Sequence, residues 1–310
     1  MAADAEDVLG LIYFAHVVQE GSFTAAAARL GVAKSAVSRR VAALEARVGA
    51  RLLHRTTRRV APSPDGARLF AHAQPLLRAA DDALELADGA GAVRGEIKVT
   101  APASLGMTHL TDAVAGFLAA HPDVTVQLSL DDSVVDLITE GVDVAIRVRS
   151  RLDDSALISR RLGRARLLVV ASPAYLAAHG TPRVPDDLAL HTFVRYAHQT
   201  GDRLAFRGPD GTPMPVQPRG RLVLDGGPAL RRAALAGAGL TVLPSFAVDE
   251  DLAAGRLIAL LRDYPLPELT LWAVSPPGRW MPTRVRAFVD WLAASFRAPP
   301  WQAVEHAPDS

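Results

Sequence analysis

Three glycines divide the first fifty residues into three segments, each with apolar side chains at helical spacing. These glycines are Gly21, Gly31 and Gly49. The spacing predicts helices over about 8–20, 25–30 and 34–48, with Thr24 as the N-cap of the second. Two short helices joined by a turn that contains glycine form a helix-turn-helix motif. The chain is therefore expected to begin with a small helical domain.

The third predicted helix has two contrasting sides when its residues are placed at about 100° intervals. The core side carries Val37, Val41, Leu44 and Val48, and the opposite side carries Ser35, Ser38, Arg39 and Ala42, with Lys34 at the helix start. Serine can bond donors or acceptors on base edges, and arginine binds guanine or phosphate, so this side suits the major groove of DNA. The alternative is the exposed polar side of an ordinary surface helix.

The net charge of +1 conceals an uneven distribution along the chain. Residues 29–68 contain ten basic and two acidic side chains, which gives +8 and leaves −7 for the other 270 residues. A local excess of positive charge is typical of a phosphate-binding surface. A solvated basic face is the alternative on charge alone.

A basic segment follows Gly49 and is predicted to form two short strands joined by a turn. Arg55, Arg58 and Arg59 lie around that turn. The pattern is typical of a wing whose arginines contact phosphate or the minor groove. A basic loop without strands is the alternative.

This region resembles the LysR-type transcriptional regulators. The matching motifs are Phe14-x-x-Val17-Val18-x-Glu20-Gly21-Ser22-Phe23-Thr24-x-Ala26-Ala27-x-x-Leu30, Ser35-Ala36-Val37-Ser38-Arg39-Arg40-Val41-x-x-Leu44-Glu45 and Gly49-x-Arg51-Leu52-Leu53-x-Arg55-Thr56-Thr57-Arg58. The resemblance implies DNA contacts by Thr24, Lys34, Ser35, Ser38, Arg39, Arg40, Arg55, Arg58 and Arg59. The chain departs from the family at Ala33-Lys34, where Ser or Thr followed by Gln is frequent, and alanine cannot cap the helix.

A long helix is predicted over 64–90, with a narrow apolar seam. The seam consists of Leu69, Ala73, Leu76, Leu77, Ala80, Leu84 and Ala87. Such a seam fits pairing with another helix or packing on its own domain. The resemblance implies a dimerising linker over 64–92. Pro75 is expected to kink or interrupt this helix.

From residue 96 onward, segments typical of strands alternate with segments typical of helices. The predicted strands are 97–101, 124–130, 142–148, 166–171, 193–196, 221–224, 240–243 and 269–274, and the predicted helices are 110–120, 134–139, 228–238 and 283–296. This alternation favours mostly parallel sheets flanked by helices.

The resemblance implies a multidomain α+β protein: a winged helix-turn-helix over 1–63, the linker, and a two-lobed α/β effector domain over 93–298. The effector domain is similar to type 2 periplasmic binding proteins. Its first lobe is expected at about 94–162 plus 267–298, and its second at about 163–266. Residues 299–310 are expected to be a loose tail.

Ligands of open α/β sheets bind beyond the carboxyl ends of the strands. The candidate effector residues at these ends are Ser104, Leu105, Asp131, Arg147, Arg195, Tyr196 and Pro244. A helix N-terminus with an arginine would hold a carboxylate. The pair Asp131-Asp132 would instead favour a cation or hydroxyl groups, or cap the next helix. Helix capping and solvation at the surface are the alternatives for every residue of the set.

The sequence lacks the patterns of common catalytic sites. It contains no cysteine, no nucleophile elbow, no phosphate-binding loop and no His-Glu-x-x-His motif. An acidic amino terminus and the absence of about 18 consecutive apolar residues predict a cytoplasmic protein with no signal peptide and no membrane partner. We therefore expect neither an enzyme nor a cofactor.

The expected function is sequence-specific regulation of neighbouring genes in response to a small-molecule effector. The resemblance implies partners that include double-stranded DNA with a pseudo-palindromic site, a second copy of the chain in a dimer or tetramer, and RNA polymerase. A DNA-binding regulator without a small-molecule effector remains an alternative. A two-lobed solute-binding or enzymatic protein is another, and the +8 segment argues against it.

Overall fold

A computed structural model of the chain describes residues 4–55, 60–87, 93–133, 136–137, 140–152, 157–198, 203–277 and 281–305. The chain divides into two compact units, with the main boundary between residues 91 and 92. Within the described residues, no helix is both long and apolar enough to cross a membrane.

The first unit consists of helices around a short antiparallel hairpin. Its elements are α1 (Ala5–Glu20), α2 (Phe23–Leu30), α3 (Lys34–Val48), β1 (Leu53–Arg55), β2 (Val60–Pro62) and α4 (Pro64–Ala87). The glycines at 21, 31 and 49 all have left-handed φ angles and end the first three helices, as their spacing predicted. The hairpin confirms the two predicted strands.

The start of α2 differs from the prediction. Ser22, rather than Thr24, is the N-cap, and its hydroxyl accepts a hydrogen bond from the Ala25 N–H at 3.3 Å. Thr24 is exposed in the first turn of the helix. Because both are good capping residues two positions apart, the sequence alone does not distinguish them.

Helix α3 has the predicted bounds and most of the predicted buried side. Val37, Val41 and Leu44 are buried against α1 and α2, whereas Val48 is 48% exposed. The prediction for Val48 is wrong because the helix ends there, at the edge of the core. No side chain caps the start of α3, as expected for Ala33.

Helix α4 is continuous through Pro75, so the expected interruption of the helix does not occur there. Ala73 and Leu77 are buried against Ala15 of α1, so this part of the seam packs on its own unit. Leu76 is 38% exposed and Ala80 is exposed. Leu84 and Ala87 are not among the described side chains.

The second unit alternates strands and helices. Its elements are β3 (Gly95–Ala101), α5 (Ala103–Leu105), a π-helical turn (Gly106–Leu110), α6 (Thr111–Ala120), β4 (Val124–Leu130), β5 (Val144–Arg149), β6 (Ile158–Ala165), β7 (Leu167–Ala171), α7 (Pro173–His179), a 3₁₀ helix (Pro185–Leu190), β8 (Val194–Tyr196), β9 (Leu204–Arg207), β10 (Pro213–Val216), β11 (Leu222–Leu224), α8 (Gly227–Leu235), β12 (Thr241–Pro244), a 3₁₀ turn (Ser245–Ala247), α9 (Asp249–Ala253), β13 (Ile258–Leu260), β14 (Leu269–Ser275), α10 (Thr283–Ser295) and α11 (Gln302–Glu305).

A five-stranded sheet, called here the large sheet, has the order β4-β3-β5-β14-β6. Strand β3 is parallel to β4 and β5, but β14 runs antiparallel to both of its neighbours. A three-stranded sheet, β12-β7-β13, is entirely antiparallel. The expectation of mostly parallel sheets is therefore wrong for the second sheet, where the chain returns to β7 from both sides.

Three further expectations concern strand β6, the carboxy-terminal tail and the helix over 134–139. Strand β6 was not predicted, and the expected lobe boundary near residue 163 falls inside it. The predicted loose tail is wrong at Trp301, which is fully buried and donates its indole N–H to the Arg164 carbonyl at 2.8 Å. The helix predicted at 134–139 lies largely outside the described residues.

The principal core of the second unit fills one side of the large sheet. Phe117 of α6 and Phe288 of α10 meet edge to face there, with ring centroids 5.1 Å apart. Phe246 and Phe296 also contact Trp301. Because β3, β4, β5 and β6 run in the same direction, their carboxyl ends lie at one edge of the sheet, which is the edge where ligands bind in such folds.

Candidate nucleic-acid interface and ligand cleft

The exposed side of α3 presents cations and hydroxyl groups together. Lys34, Ser35 and Arg39 are exposed and Ser38 is half-buried. The Arg39 Nε donates to the Ser35 carbonyl at 3.4 Å, so this side chain lies along the helix surface. Because the opposite side of α3 is fixed in the core, these groups point away from the unit as one surface. Their placement agrees with the side predicted to face DNA.

Three arginines of this unit are paired with acids on other helices or turns. Arg47 Nε lies 3.1 Å from Asp7 Oδ1, and Arg29 lies 3.0 Å from Glu20. Arg40, a predicted DNA contact, forms an ion pair with Glu6 in the first turn of α1. The predicted excess of +8 over 29–68 is thus reduced in space by acids that lie outside that window in sequence.

The Arg47–Asp7 contact has a visible electrostatic consequence. The hydrogen bond from Arg47 lowers the pKa of Asp7, and the Asp4 N–H lowers it further. The same hydrogen bond raises the pKa of Arg47. Both side chains therefore stay charged, and they join the last turns of α3 to the first turn of α1.

The wing is held by two polar side chains that sequence reasoning did not single out. Glu45 Oε1 accepts hydrogen bonds from the Leu52 and Leu53 N–H groups, at 2.8 and 3.2 Å. The Ser63 hydroxyl donates to the Arg51 carbonyl at 2.6 Å and accepts from the Gly66 N–H at 3.0 Å. A helix-cap signal, Ser before Pro64, marks Ser63 in the sequence.

The predicted wing arginines are only partly placed. Arg55 ends β1, where it pairs through the backbone with Val60. Arg58 and Arg59 lie outside the described residues. The hairpin itself supports the predicted wing, and the contacts of its three arginines remain a prediction.

At the edge of the large sheet, two predicted cleft residues have structural roles. Leu105 is fully buried in the core, so its side chain cannot line a site, and that prediction is wrong. Asp131 is exposed and accepts a hydrogen bond from the Ser133 N–H at 2.8 Å, which lowers the pKa of Asp131. The neighbouring Asp132 accepts from the Ala103 N–H at 3.2 Å and so caps the helix that begins there.

Ser104 lies where this edge meets α8. It is half-buried, and its carbonyl accepts a hydrogen bond from the Thr108 hydroxyl at 2.9 Å. A Cβ atom at Gly227, the first residue of α8, would come within 3.0 Å of the Ser104 Cβ. The absence of a side chain at Gly227 therefore allows α5 and α8 to touch.

Tyr196, another candidate, is half-buried at the end of β8. Burial raises the pKa of its hydroxyl, the charge of Asp132 raises it further and that of Arg149 lowers it. The charges of Asp132 and Arg149 therefore act on Tyr196, and the lining of the cleft stays a prediction.

The other candidates surround this position without forming one cluster. Arg195 is exposed beside Tyr196, and both line a shallow hollow with Phe193 and Val242. Arg147 is half-buried on β5. Pro244 pairs with Leu167 at the end of β12 and precedes the turn that begins at Ser245.

Comparison with known proteins matches both units. The family described as bacterial regulatory helix-turn-helix protein, lysR family, matches residues 10–67, and the LysR substrate binding domain matches residues 90–297. The chain is 36% identical over 304 residues to the HTH-type transcriptional regulator PtxR of Pseudomonas aeruginosa, with 95% of each chain covered.

Two solved structures extend the match to the fold. CrgA of Neisseria meningitidis, a LysR-type transcriptional regulator, shares 32% identity with a TM-score of 0.59, and the alignment covers 94% of this chain and 99% of CrgA. The full-length Vibrio cholerae virulence activator AphB shares 26% identity with a TM-score of 0.61, over 95% and 100% of the two chains.

These matches define a transcriptional regulator that carries a helix-turn-helix DNA-binding domain and an effector-binding domain. The chain belongs to the LysR family. This is a family of regulators, and within the described part of the chain no group of three or more His, Asp or Glu side chains is arranged to hold a metal ion.

Proposed function

We propose that the exposed side of α3 reads base edges in the major groove, while α2 and the wing hold the phosphate backbone. The base-reading residues are Lys34, Ser35, Ser38 and Arg39, and the backbone contacts are Thr24, Arg55, Arg58 and Arg59. The observation that carries this assignment is the exposure of Lys34 and Arg39 on one side of α3, where no acid among the described residues pairs with either.

Arg40 has a different position in this proposal. Its ion pair with Glu6 directs it toward α1, so it supports α3 and adds to phosphate binding only when that pair opens. Exposed ion pairs contribute about 0–1 kcal/mol, which a DNA phosphate can replace. Arg40 is thus a secondary contact in the predicted set.

A small molecule bound in the cleft is the proposed effector. Ser104, Arg147, Arg195 and Tyr196 surround the cleft, Asp131 and Pro244 lie at its rim, and Leu105 contributes only to the core beneath it. A ligand with different affinities for two arrangements of the effector-binding unit shifts their populations, and this shift would change DNA binding. The hollow that Arg195 and Tyr196 line together supports this location.

Self-association is proposed through the exposed part of the α4 seam. Leu76 and Ala80 remain exposed after Ala73 and Leu77 have packed on α1. Two copies would then place two α3 helices in successive major grooves of a pseudo-palindromic site, with half-sites about one helical turn or a multiple of it apart. Further pairing of effector-binding units would give a tetramer.

The cellular consequence is activation or repression of neighbouring genes, with RNA polymerase as the final partner. Because the target is promoter DNA, the protein acts in the cytoplasm. No step of this function requires catalysis or a cofactor.

The test replaces Arg39 by alanine and uses Arg29→Ala, an arginine of α2 paired with Glu20, as the matched control. We expect Arg39→Ala to weaken binding to the specific operator by about 1–3 kcal/mol and to change non-specific binding less. Mobility shifts on the intergenic DNA beside the gene, after footprinting, measure both affinities. Equal losses of specific and non-specific affinity would reduce Arg39 to a phosphate contact.

A further inference from the structure

A row of three side chains crosses the large sheet on the face away from its main core. Arg147 of β5 pairs with Trp272 of β14, and Trp272 pairs with Arg161 of β6. Directly opposed residues of antiparallel strands have Cβ atoms about 5 Å apart on the same face. The indole of Trp272 therefore stands between two arginine side chains.

Neither arginine of this row is neutralised by the described residues. No acidic side chain among them bonds Arg147 or Arg161, although two other arginines of β6 are paired: Arg160 with Asp290 and Arg164 with Glu268. Arg147 is half-buried and Arg161 is exposed. Two guanidinium groups on the strands that flank β14, neither bonded to a described acid, create a local positive potential that favours an anion.

The indole between them carries an unused donor. Trp272 Nε1 is shielded from solvent and has no hydrogen-bond partner among the described residues. A buried N–H without an acceptor is costly, and such groups are rare in native proteins. Trp272 packs against a small apolar cluster of Leu137, Ala145 and Val274, and it pairs with an arginine on each side.

The row lies at the edge of the proposed cleft. Ala145 pairs with Thr100, and β3 ends one residue later at Ala101, so Arg147 lies just beyond the end of β3. At the other end of this edge, Asp131 and Asp132 accept hydrogen bonds from backbone N–H groups. These two carboxylates are therefore engaged, whereas no described acid bonds Arg147 or Arg161.

We propose that Arg147, Arg161 and the Trp272 N–H form a seat for one oxyanion, the carboxylate or phosphate group of a small ligand. Guanidinium groups bind both oxyanions through charge-assisted hydrogen bonds, and an indole N–H adds a directional neutral one. This inference deepens the proposed function and rests on it, because it gives the effector a negatively charged end that lies on the β5–β14–β6 half of the cleft edge.

The test is calorimetric titration of the full-length protein with inorganic phosphate and, separately, with succinate, in a buffer free of both. Saturable binding of phosphate alone identifies a phosphate seat, and binding of succinate alone identifies a carboxylate seat. We expect Arg161→Gln to lower the affinity for the anion about tenfold or more, since a hydrogen bond to a charged group is lost. Trp272→Phe, which keeps most of the ring packing, should weaken it by a smaller factor.

Arg164→Gln is the matched control, because Arg164 lies on the same strand but is bonded to Glu268. This variant should bind the anion within about twofold of the natural protein. The seat is refuted if neither anion saturates the natural protein, or if Arg164→Gln weakens binding as much as Arg161→Gln does. If Arg161→Gln does not fold, Trp272→Phe alone decides, and unchanged affinity in it contradicts the seat.

A measurement of operator affinity for the same proteins, without added anion, distinguishes failure of this inference from failure of the proposed function. If the natural protein does not bind the operator specifically, the proposed function is contradicted, but the anion titration remains valid. Normal operator binding with no anion binding would contradict the seat alone.

Discussion

The acidic side chains near the two proposed binding surfaces have two kinds of partner. In the DNA-binding unit, Glu6, Asp7 and Glu20 pair with arginines at the surface, whereas Glu45 accepts hydrogen bonds from the backbone of the wing. At the edge of the large sheet, Asp131 and Asp132 accept hydrogen bonds from backbone N–H groups. Acids of the first kind, paired with arginines, fix the packing of helices and reduce positive charge, whereas acids of the second kind, bonded to the backbone, shape turns.

The charge of a segment therefore does not predict the charge of a surface. The window 29–68 is strongly basic, yet several of its arginines are neutralised in space. The cleft edge contains two adjacent aspartates, yet both are bonded to the backbone. The partner of each acid decides which cations remain available to a ligand, and the following substitutions test this from the largest expected effect to the smallest.

Asp251→Asn tests an acid of the effector-binding unit that is paired with two arginines. Asp251 is fully buried, with Arg231 Nε 2.5 Å and Arg256 Nε 2.6 Å from its carboxylate oxygens. The substitution weakens two charge-assisted hydrogen bonds, but the Arg231 and Arg256 side chains are 34% and 51% exposed, so we expect a loss of about 1.5–3 kcal/mol in the free energy of unfolding. Chemical denaturation measures it, and a loss below 1 kcal/mol would show that this network does not support the second unit.

The pKa of Asp251 determines the direction in which the free energy of unfolding changes with pH. Burial would raise the pKa of Asp251, but the hydrogen bonds from Arg231 and Arg256 lower it below the usual 3.8. Its contribution to stability is therefore complete above that value and is lost as the pH falls through the lowered pKa. Denaturation of Asp251→Asn should accordingly depend less on pH in the acidic range than that of the natural protein.

Asp132→Ala tests the second kind of acid. The substitution removes the acceptor of the Ala103 N–H, and loss of a helix cap costs about 1 kcal/mol. It also removes a negative charge from the cleft edge, so an anionic ligand should bind more tightly, not less. Thermal denaturation and anion titration measure the two effects. Asp131→Ala is the control for the thermal measurement, because it removes the same charge but leaves the Ala103 cap in place, and an equal loss of stability in both variants would contradict a capping role for Asp132.

Glu6→Gln tests the first kind of acid and has the smallest expected effect on stability, within about 0.5 kcal/mol, because the pair is exposed. It releases Arg40, which should steepen the dependence of DNA affinity on salt by about one phosphate contact. Asp7→Asn, which releases Arg47 in the last turn of α3, should leave that slope unchanged. An unchanged slope in Glu6→Gln would place Arg40 away from the DNA backbone.

The sequence predicted the DNA-binding unit more completely than the effector-binding unit. The bounds of α3 and its two sides follow from local periodicity and three glycines, because a helix carries its own hydrogen bonds and its pattern repeats along the chain. Thr24 and Val48 were mispredicted where a helix ends, which local patterns define least well.

Most errors in the effector-binding unit arise from contacts between distant segments. Strand β6 carries Arg160, Arg161 and Arg164 and lacks a continuous apolar pattern, so its place in the large sheet depends on β14, more than a hundred residues away. The burial of Trp301 depends in the same way on Phe246 and Phe296. Leu105 was mistaken for a cleft residue because the sequence does not show which way a side chain points at the end of a strand.

The hydrogen bonds around the wing have a mechanical consequence. Glu45 joins the end of α3 to the start of β1, and Ser63 joins the residues before β1 to the first turn of α4. These hydrogen bonds therefore couple α3, the start of β1 and the first turn of α4. A rotation of α4 would then turn α3 and the start of β1 together with it. A change at α4 would therefore alter the orientation of α3 without bending the helix.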